Sequence, residues 1–192
     1  MIMQELHHLS VKQSLTVGGD RFKIYLDRKT IRNRVSELGA EISTDFAGRT
    51  PILIGVLNGA FMFLADLMRS IDIDCEVDFL KLSSYGAEKI SSGVVQELKK
   101  IDASIEGRHV IVVEDIVDTG LSMEFILKIM SEYNPASLSV ATLLHKTDAT
   151  KVDVRLDYVG FRIKNLFVIG YGLDYGQLGR NLADIYVIED DS

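Results

Sequence analysis

The stretch VVEDIVDTGLS, residues 112–122, gathers Glu114, Asp115 and Asp118 within five residues, then turns at once to Thr119, Gly120 and Ser122. Carboxylates this close repel one another, and a merely structural loop has little reason to collect them. Downstream, Met123, Ile126, Leu127 and Met130 form an apolar stripe at helical spacing, so a helix is expected over 120–133. Two hydroxyls, a glycine and several free amides at a helix N-terminus make an anion cradle suited to phosphate. The acids upstream cannot want that same phosphate. They suit neutral donors such as sugar hydroxyls, or a hydrated Mg²⁺ shared with phosphates. A phosphorylated sugar satisfies both halves, with Asp118 between them facing the reacting carbon.

The elements that position these residues follow from the apolar pattern. Ile31, Val35, Leu38, Ile42 and Phe46 recur as one helical face, with Asp27 as N-cap and Gly48 at the end. PILIGVL (51–57) reads as a buried strand, followed by Asn58-Gly59 and the apolar helix AFMFLADLMRS. CEVDFLKLSSY gives another strand, and the stretch from GAEKISSGVVQ is polar. A strand over 109–113 is expected to end abruptly at the acids, so that 114–122 forms a loop. SLSVATLLH (137–145), YVGFRI (158–163) and LFVIGY (166–171) are read as further strands, and Asn134-Pro135 stops the helix before them. Alternating strands and helices predict an α/β fold, a mostly parallel sheet covered by helices. Ligands then bind beyond the carboxyl ends of the strands. Asn58-Gly59, Ser83-Ser84-Tyr85, the 114–122 stretch and His145-Lys146-Thr147 are expected to open on that one edge.

Composition bounds the possibilities. With 192 residues and 47% hydrophobic content, one domain over 1–192 with a substantial core is expected. A net charge of −7 argues against a sequence-blind grip on nucleic acid. Cys75 is the only cysteine, which excludes an internal disulfide or a thiolate-rich metal site. His7, His8, His109 and His145 have no ligand spacing. The opening MIMQELHHLS reads as no export signal, and no apolar run approaches membrane-spanning length, so a cytoplasmic protein without membrane partners is expected.

VVEDIVDTGLS resembles the phosphoribosyl-pyrophosphate signature of the type I phosphoribosyltransferases: four hydrophobics, two acids, two hydrophobics, then Asp-Thr-Gly and a hydroxyl residue. SSYG (83–86), LLHKT (143–147) and FVIGYGLDY (167–175) are similar to segments of the hypoxanthine (and guanine) phosphoribosyltransferases, and the likeness runs in order from Ile24 to Ile188. The resemblance implies a small hood formed by terminal segments beside the sheet. It implies transfer of 5-phosphoribose from its pyrophosphate donor to N9 of a 6-oxopurine, hypoxanthine or guanine, giving IMP or GMP and pyrophosphate in purine salvage. Mg²⁺ is the implied cofactor, and a homodimer or homotetramer the implied assembly.

Residue by residue, the resemblance implies that Glu114 and Asp115 hold the ribose hydroxyls near the metal. Asp118 is the implied general base, and Thr119, Gly120 and Ser122 the 5′-phosphate site. Lys146 would donate to the 6-oxo group, Phe167 would stack on the ring, and the backbones of Val168 and Asp174 would meet the base edge. The Asp174 carboxylate would reach a second Mg²⁺. Asn58, Gly59 and Arg180 would contact pyrophosphate, and Ser84 and Tyr85 would head a closing loop. Taken singly, Lys146 reads as a solvated lysine, Phe167 and Val168 as core, Asp174 as a turn residue and Arg180 as a surface cation.

One departure stands out. The family's first loop commonly carries a lysine before the glycine, where this chain has Asn58. The implied cis Leu57–Asn58 peptide, with its turned amides, survives that change; the extra cation does not. Rival readings are weaker. Asp-Thr-Gly also marks aspartic proteases, but their fold is all-β and a helical stripe follows Gly120 here. A regulatory nucleotide- or RNA-binding protein of the same fold should carry a basic surface. A cation at Lys146 disfavours adenine, whose 6-substituent is an amino group. A xanthine-preferring transferase stays open.

Overall fold

A computed structural model of the chain describes residues 13–82, 97–99 and 101–189. Two hydrogen-bonded sheets organise them. The larger runs in the order β5-β4-β3-β6-β7-β8, with β3 Ile52–Leu57, β4 Glu76–Leu82, β5 Glu97–Lys99, β6 His109–Val117, β7 Ser137–Lys146 and β8 Tyr158–Ile163. All neighbouring pairs are parallel except β4 with β5.

Among the described residues three helices cover this sheet: α1 Arg28–Asp45, α2 Phe61–Ser70 and α3 Leu121–Ser131. The continuous apolar runs of β3 and β6 are what burial on both faces demands. Along β6 the faces alternate, Ile111 and Val113 joining the core under α1 and α2, Val110 and Val112 the core under α3. Helix α1 begins where the Asp27 carboxylate accepts a bond from the Thr30 amide at 2.7 Å, as the sequence predicts. Its stripe Ile31, Val35, Leu38 and Ile42 is buried. At Gly39 the helix lies so close to α2 that a Cβ would overlap the Ser70 carbonyl. Among the described residues no helix is long and apolar enough to cross a membrane.

The second sheet is antiparallel, in the order β1-β2-β10-β9, from β1 Ser14–Val17, β2 Asp20–Leu26, β9 Val168–Ile169 and β10 Ile185–Ile188. This is the hood, with Phe22, Ile169 and Tyr186 at its centre. Asp184, 1% exposed, ties it to the main body by accepting from the Arg28 amide at 2.7 Å and from Arg28 Nη2 at 2.7 Å. Burial alone would raise its carboxyl, but the Arg28 bonds outweigh that and hold it below the ordinary range.

Two expectations need correction. The strand ending in the acids does not stop there: β6 continues to Val117, with Glu114 opposite Thr142, Ile116 opposite Leu144 and Val117 opposite His145. Because β7 runs alongside, the backbone of the acidic stretch keeps its sheet partners, and only 118–120 turn. The segment 166–171 yields just the two residues of β9, and they pair in the hood, since Gly170 at φ +99° turns the chain away. Between β7 and β8 there is no helix, as the successive strand readings over 137–145 and 158–163 imply.

Candidate active site

The carboxyl ends of β3, β6 and β7 point to one edge, and the chemistry-bearing residues collect there. Asp115 is 8% exposed, and Glu114 beside it is part-buried. Their carboxylates find mainly local amides: Asp115 N–H donates to Glu114 at 3.2 Å, and Ile116 N–H to Asp115 at 2.9 Å. Burial pushes the Glu114 carboxyl well above the ordinary range, and the neighbouring Asp115 adds to it. Burial also raises Asp115, against the pull of the Glu114 side chain, of those amides and of the Arg180 charge. Two adjacent buried acids make a place that favours positive charge.

The loop after β3 closes over them. The Leu57–Asn58 peptide is cis, and Gly59 lies so near Asp115 that a Cβ would overlap its carboxylate. Gly172 in turn rests on the Gly59 carbonyl with no room for a side chain. Arg180 Nη1 donates to the Gly172 carbonyl at 2.8 Å, and Nη2 pairs with Asp174 at 2.6 Å. Segments 58–59, 114–115 and 172–180 thus meet, Gly59 touching the Asp115 carboxylate on one side and the Gly172 backbone on the other.

Beyond β6 the chain forms the turn. Gly120, at φ +85°, precedes α3, and no side chain caps that helix, so its first amides have no side-chain acceptor, the arrangement that suits an anion. Glu114, Asp118, Thr119, Gly120 and Ser122 line a cavity of about 80 Å³ there. Behind it, the Thr119 carbonyl accepts from the Lys151 and Val152 amides at 2.9 and 3.1 Å, and the Val152 carbonyl fills the space a Cβ on Gly120 would need. This brace was missed in the sequence, where Lys151 and Val152 look like an ordinary loop.

Lys146, the last residue of β7, reaches across to Asp118, with Nζ 2.9 Å from Oδ2. Phe167 is 45% exposed and so is not the core residue it resembles in isolation; Val168 beside it is buried and paired with Val187. Asp174 accepts from the Gln177 amide at 2.8 Å besides holding Arg180. Ser84 and Tyr85 lie outside the described residues. Among the described residues no three acids, histidines or cysteines converge, so Asp174 does not join Glu114 and Asp115 in one cluster.

Residues 22–176 match the model of the phosphoribosyl transferase domain. The chain belongs to the phosphoribosyl transferase family. Among curated phosphoribosyl transferases, the hypoxanthine-guanine phosphoribosyltransferase of Bacillus subtilis is 41% identical over 167 residues, covering 87% of this chain and 93% of that one. The Aquifex aeolicus enzyme of the same name is 42% identical over 175 residues, or 91% and 98% of the two chains. A crystal structure of a hypoxanthine-guanine phosphoribosyltransferase from Bacillus anthracis, with a HEPES molecule in its active site, superimposes at a TM-score of 0.83. It is 40% identical and covers 87% of this chain and 98% of the other.

Proposed function

We propose that this chain, as one domain acting in the cytoplasm, transfers 5-phosphoribose from phosphoribosyl pyrophosphate to N9 of hypoxanthine or guanine. It would yield IMP or GMP and pyrophosphate in purine salvage. The observation that carries the purine half is the Lys146–Asp118 pair, a cation and a carboxylate 2.9 Å apart at the mouth of the phosphate turn. A 6-oxopurine presents its oxo group and N7 side by side on one edge. A donor beside an acceptor matches that edge when N7 carries the proton, Lys146 to the oxo group and Asp118 to N7–H.

The family relationship and the turn support the donor half. The open amides at the start of α3, with the Thr119 and Ser122 hydroxyls, suit the 5′-phosphate, while Glu114 and Asp115 suit the ribose hydroxyls. Oxygen-only donors in an acid-rich, buried place fit Mg²⁺, which keeps several waters and shares phosphates rather than needing a full protein cage. Glu114 and Asp115 would hold it through the ribose, and Asp174 is a candidate for a second ion. When bound, it offsets negative charge on the pyrophosphate.

In the transfer, the bond from C1 of the ribose to pyrophosphate oxygen breaks, and the bond from C1 to purine N9 forms. Asp118 takes the N7 proton as the ring's electrons move toward N9. Lys146 stabilises charge on the oxo group, and Arg180, with the 58–59 backbone, receives the departing pyrophosphate. A homodimer or homotetramer is proposed on the family's habit, and light scattering on the purified chain tests it. For the reaction, incubation with donor, Mg²⁺ and each of hypoxanthine, guanine, xanthine and adenine should give nucleotide with the first two. Nucleotide from neither would overturn the reading.

A further inference from the structure

Phe167 is held at its backbone but not at its ring. Its carbonyl accepts from the Ile188 amide at 3.1 Å, yet the side chain is 45% exposed. The ring leans on two others. Tyr175 stands edge-on to it, with centroids 5.6 Å apart and planes at 76°, and the buried Phe22 is tilted at 6.5 Å.

Tyr175 itself is held at its hydroxyl, its ring and its backbone. Its hydroxyl donates to Asp20 at 2.5 Å, and its ring packs edge-on to Phe22 at 5.8 Å. The hairpin turn between β1 and β2 makes room for it: Gly18 adopts φ +62°, and a Cβ there would sit 2.9 Å from the Tyr175 ring. Its backbone exchanges bonds with Leu178 at 2.9 and 3.0 Å. A rigid ring therefore supports an exposed one.

We propose that Tyr175, clamped by Asp20 of the hood hairpin, is a positioning residue that sets the plane of Phe167 for the purine. The inference rests on the purine reading given above. Stacking a flat base on an aromatic face rewards a ring already held in the bound orientation, because ordering a free side chain on binding weakens affinity. Edge-to-face pairing with Tyr175 supplies that order without touching the reacting atoms. It also makes the β1–β2 hairpin, far from the chemistry in sequence, part of base recognition.

The test is steady-state kinetics on the full chain with Tyr175→Leu, Phe167→Leu and the double variant, and with Tyr175→Phe and Asp20→Asn, which keep both rings. Tyr175→Leu should raise the KM for hypoxanthine and guanine about three- to tenfold, the scale of one aromatic pair. Its kcat and its KM for phosphoribosyl pyrophosphate should stay within about twofold, and in the Phe167→Leu background the effect should vanish, as coupled residues require. Tyr175→Phe and Asp20→Asn should show a smaller rise in purine KM alone, which keeps the test available if the leucine variant folds poorly. An unchanged purine KM in all of them overturns the proposal. So does a rise that persists undiminished without Phe167, or one that the donor KM follows. Failure of the purine reading is separately visible, because the unaltered chain would then make no nucleotide.

Discussion

Lys146 Nζ and Asp118 Oδ2 are 2.9 Å apart, joining the end of β7 to the turn that follows β6. The lysine side chain is 11% exposed and the aspartate 47%, so the cation is the held partner and the carboxylate faces the cavity. On the proposed reading, a purine entering here would meet a pair that already satisfies itself and would divide that pair between its oxo group and its N–H. An adenine, whose 6-amino group is itself a donor, would leave the lysine without an acceptor.

Asp118→Asn keeps size and hydrogen-bonding reach but removes the proton acceptor. Turnover should fall by about 10²–10⁴, the range of general-base catalysis. Donor affinity, measured by titration calorimetry, should hold, because Glu114, Asp115 and the 119–122 turn are untouched. A fall below roughly tenfold at saturating substrates, with chemistry rate-limiting, removes Asp118 from the role of base.

Lys146→Ala should weaken use of both purines about ten- to a hundredfold, the scale of a charge-assisted hydrogen bond of about 1.5–3 kcal/mol. Donor binding should stay within the same order. Unchanged purine kinetics would mean that the lysine serves only to pair with Asp118.

Gly59→Ala tests the contact between the first loop and the acids. The new methyl would overlap the Asp115 carboxylate. Overpacking of this kind costs about 1–3 kcal/mol, and the loop must shift to relieve it. Both the melting temperature and the affinity for pyrophosphate, read from the reverse reaction, should drop. A variant that matches the parent in both would show that the loop adapts freely.

Glu114→Gln should separate stability from activity. Burial, then Asp115, lifts the Glu114 carboxyl well above its ordinary 4.5 in the folded chain. An acid with a raised folded-state pKa contributes fully below its unfolded value and loses that contribution as pH rises through the folded one. The parent chain should therefore lose stability from about pH 4.5 upward, while Glu114→Gln should lose less, keeping only the part that the raised Asp115 contributes. Urea melts at pH 5 and pH 8 should place the variant ahead by about 1 kcal/mol at the higher pH and by less at the lower, while ribose-dependent activity falls. An equal gap at the two pH values would show that Glu114 is not held protonated by its surroundings.

Periodicity alone disclosed α1, α2, α3 and the buried strands β3, β6, β7 and β8, because burial on one stripe or both faces forces apolar spacing. It misjudged the end of β6, since charged residues look like a loop when the strand that pairs with them is out of view. Two-residue β9 was legible only as part of an apolar run; its partner β10 lies sixteen residues on, after a series of glycine-bent turns. In the site, Glu114, Asp115, Asp118 and the turn announce themselves by composition. Lys146, Phe167, Asp174 and Arg180 do not, because a single lysine or phenylalanine carries no pattern of its own. Lys151, Val152 and Gly172 act through backbone atoms, which no side-chain reading reveals.

The hood joins β2, at 20–26, to β9 and β10, at 168–188, whereas the large sheet and the phosphate turn are complete by residue 163. On a growing chain the two halves of the site therefore mature at different times. The half suited to a sugar phosphate can form while β2 still waits, unpaired on its far side, for a strand not yet synthesised. On the proposed reading, Phe167, which would stack on the base, and Arg180, which would meet pyrophosphate, come only with the later hood segment, so a chain stopped at residue 163 would carry the phosphate turn and the Lys146–Asp118 pair without them.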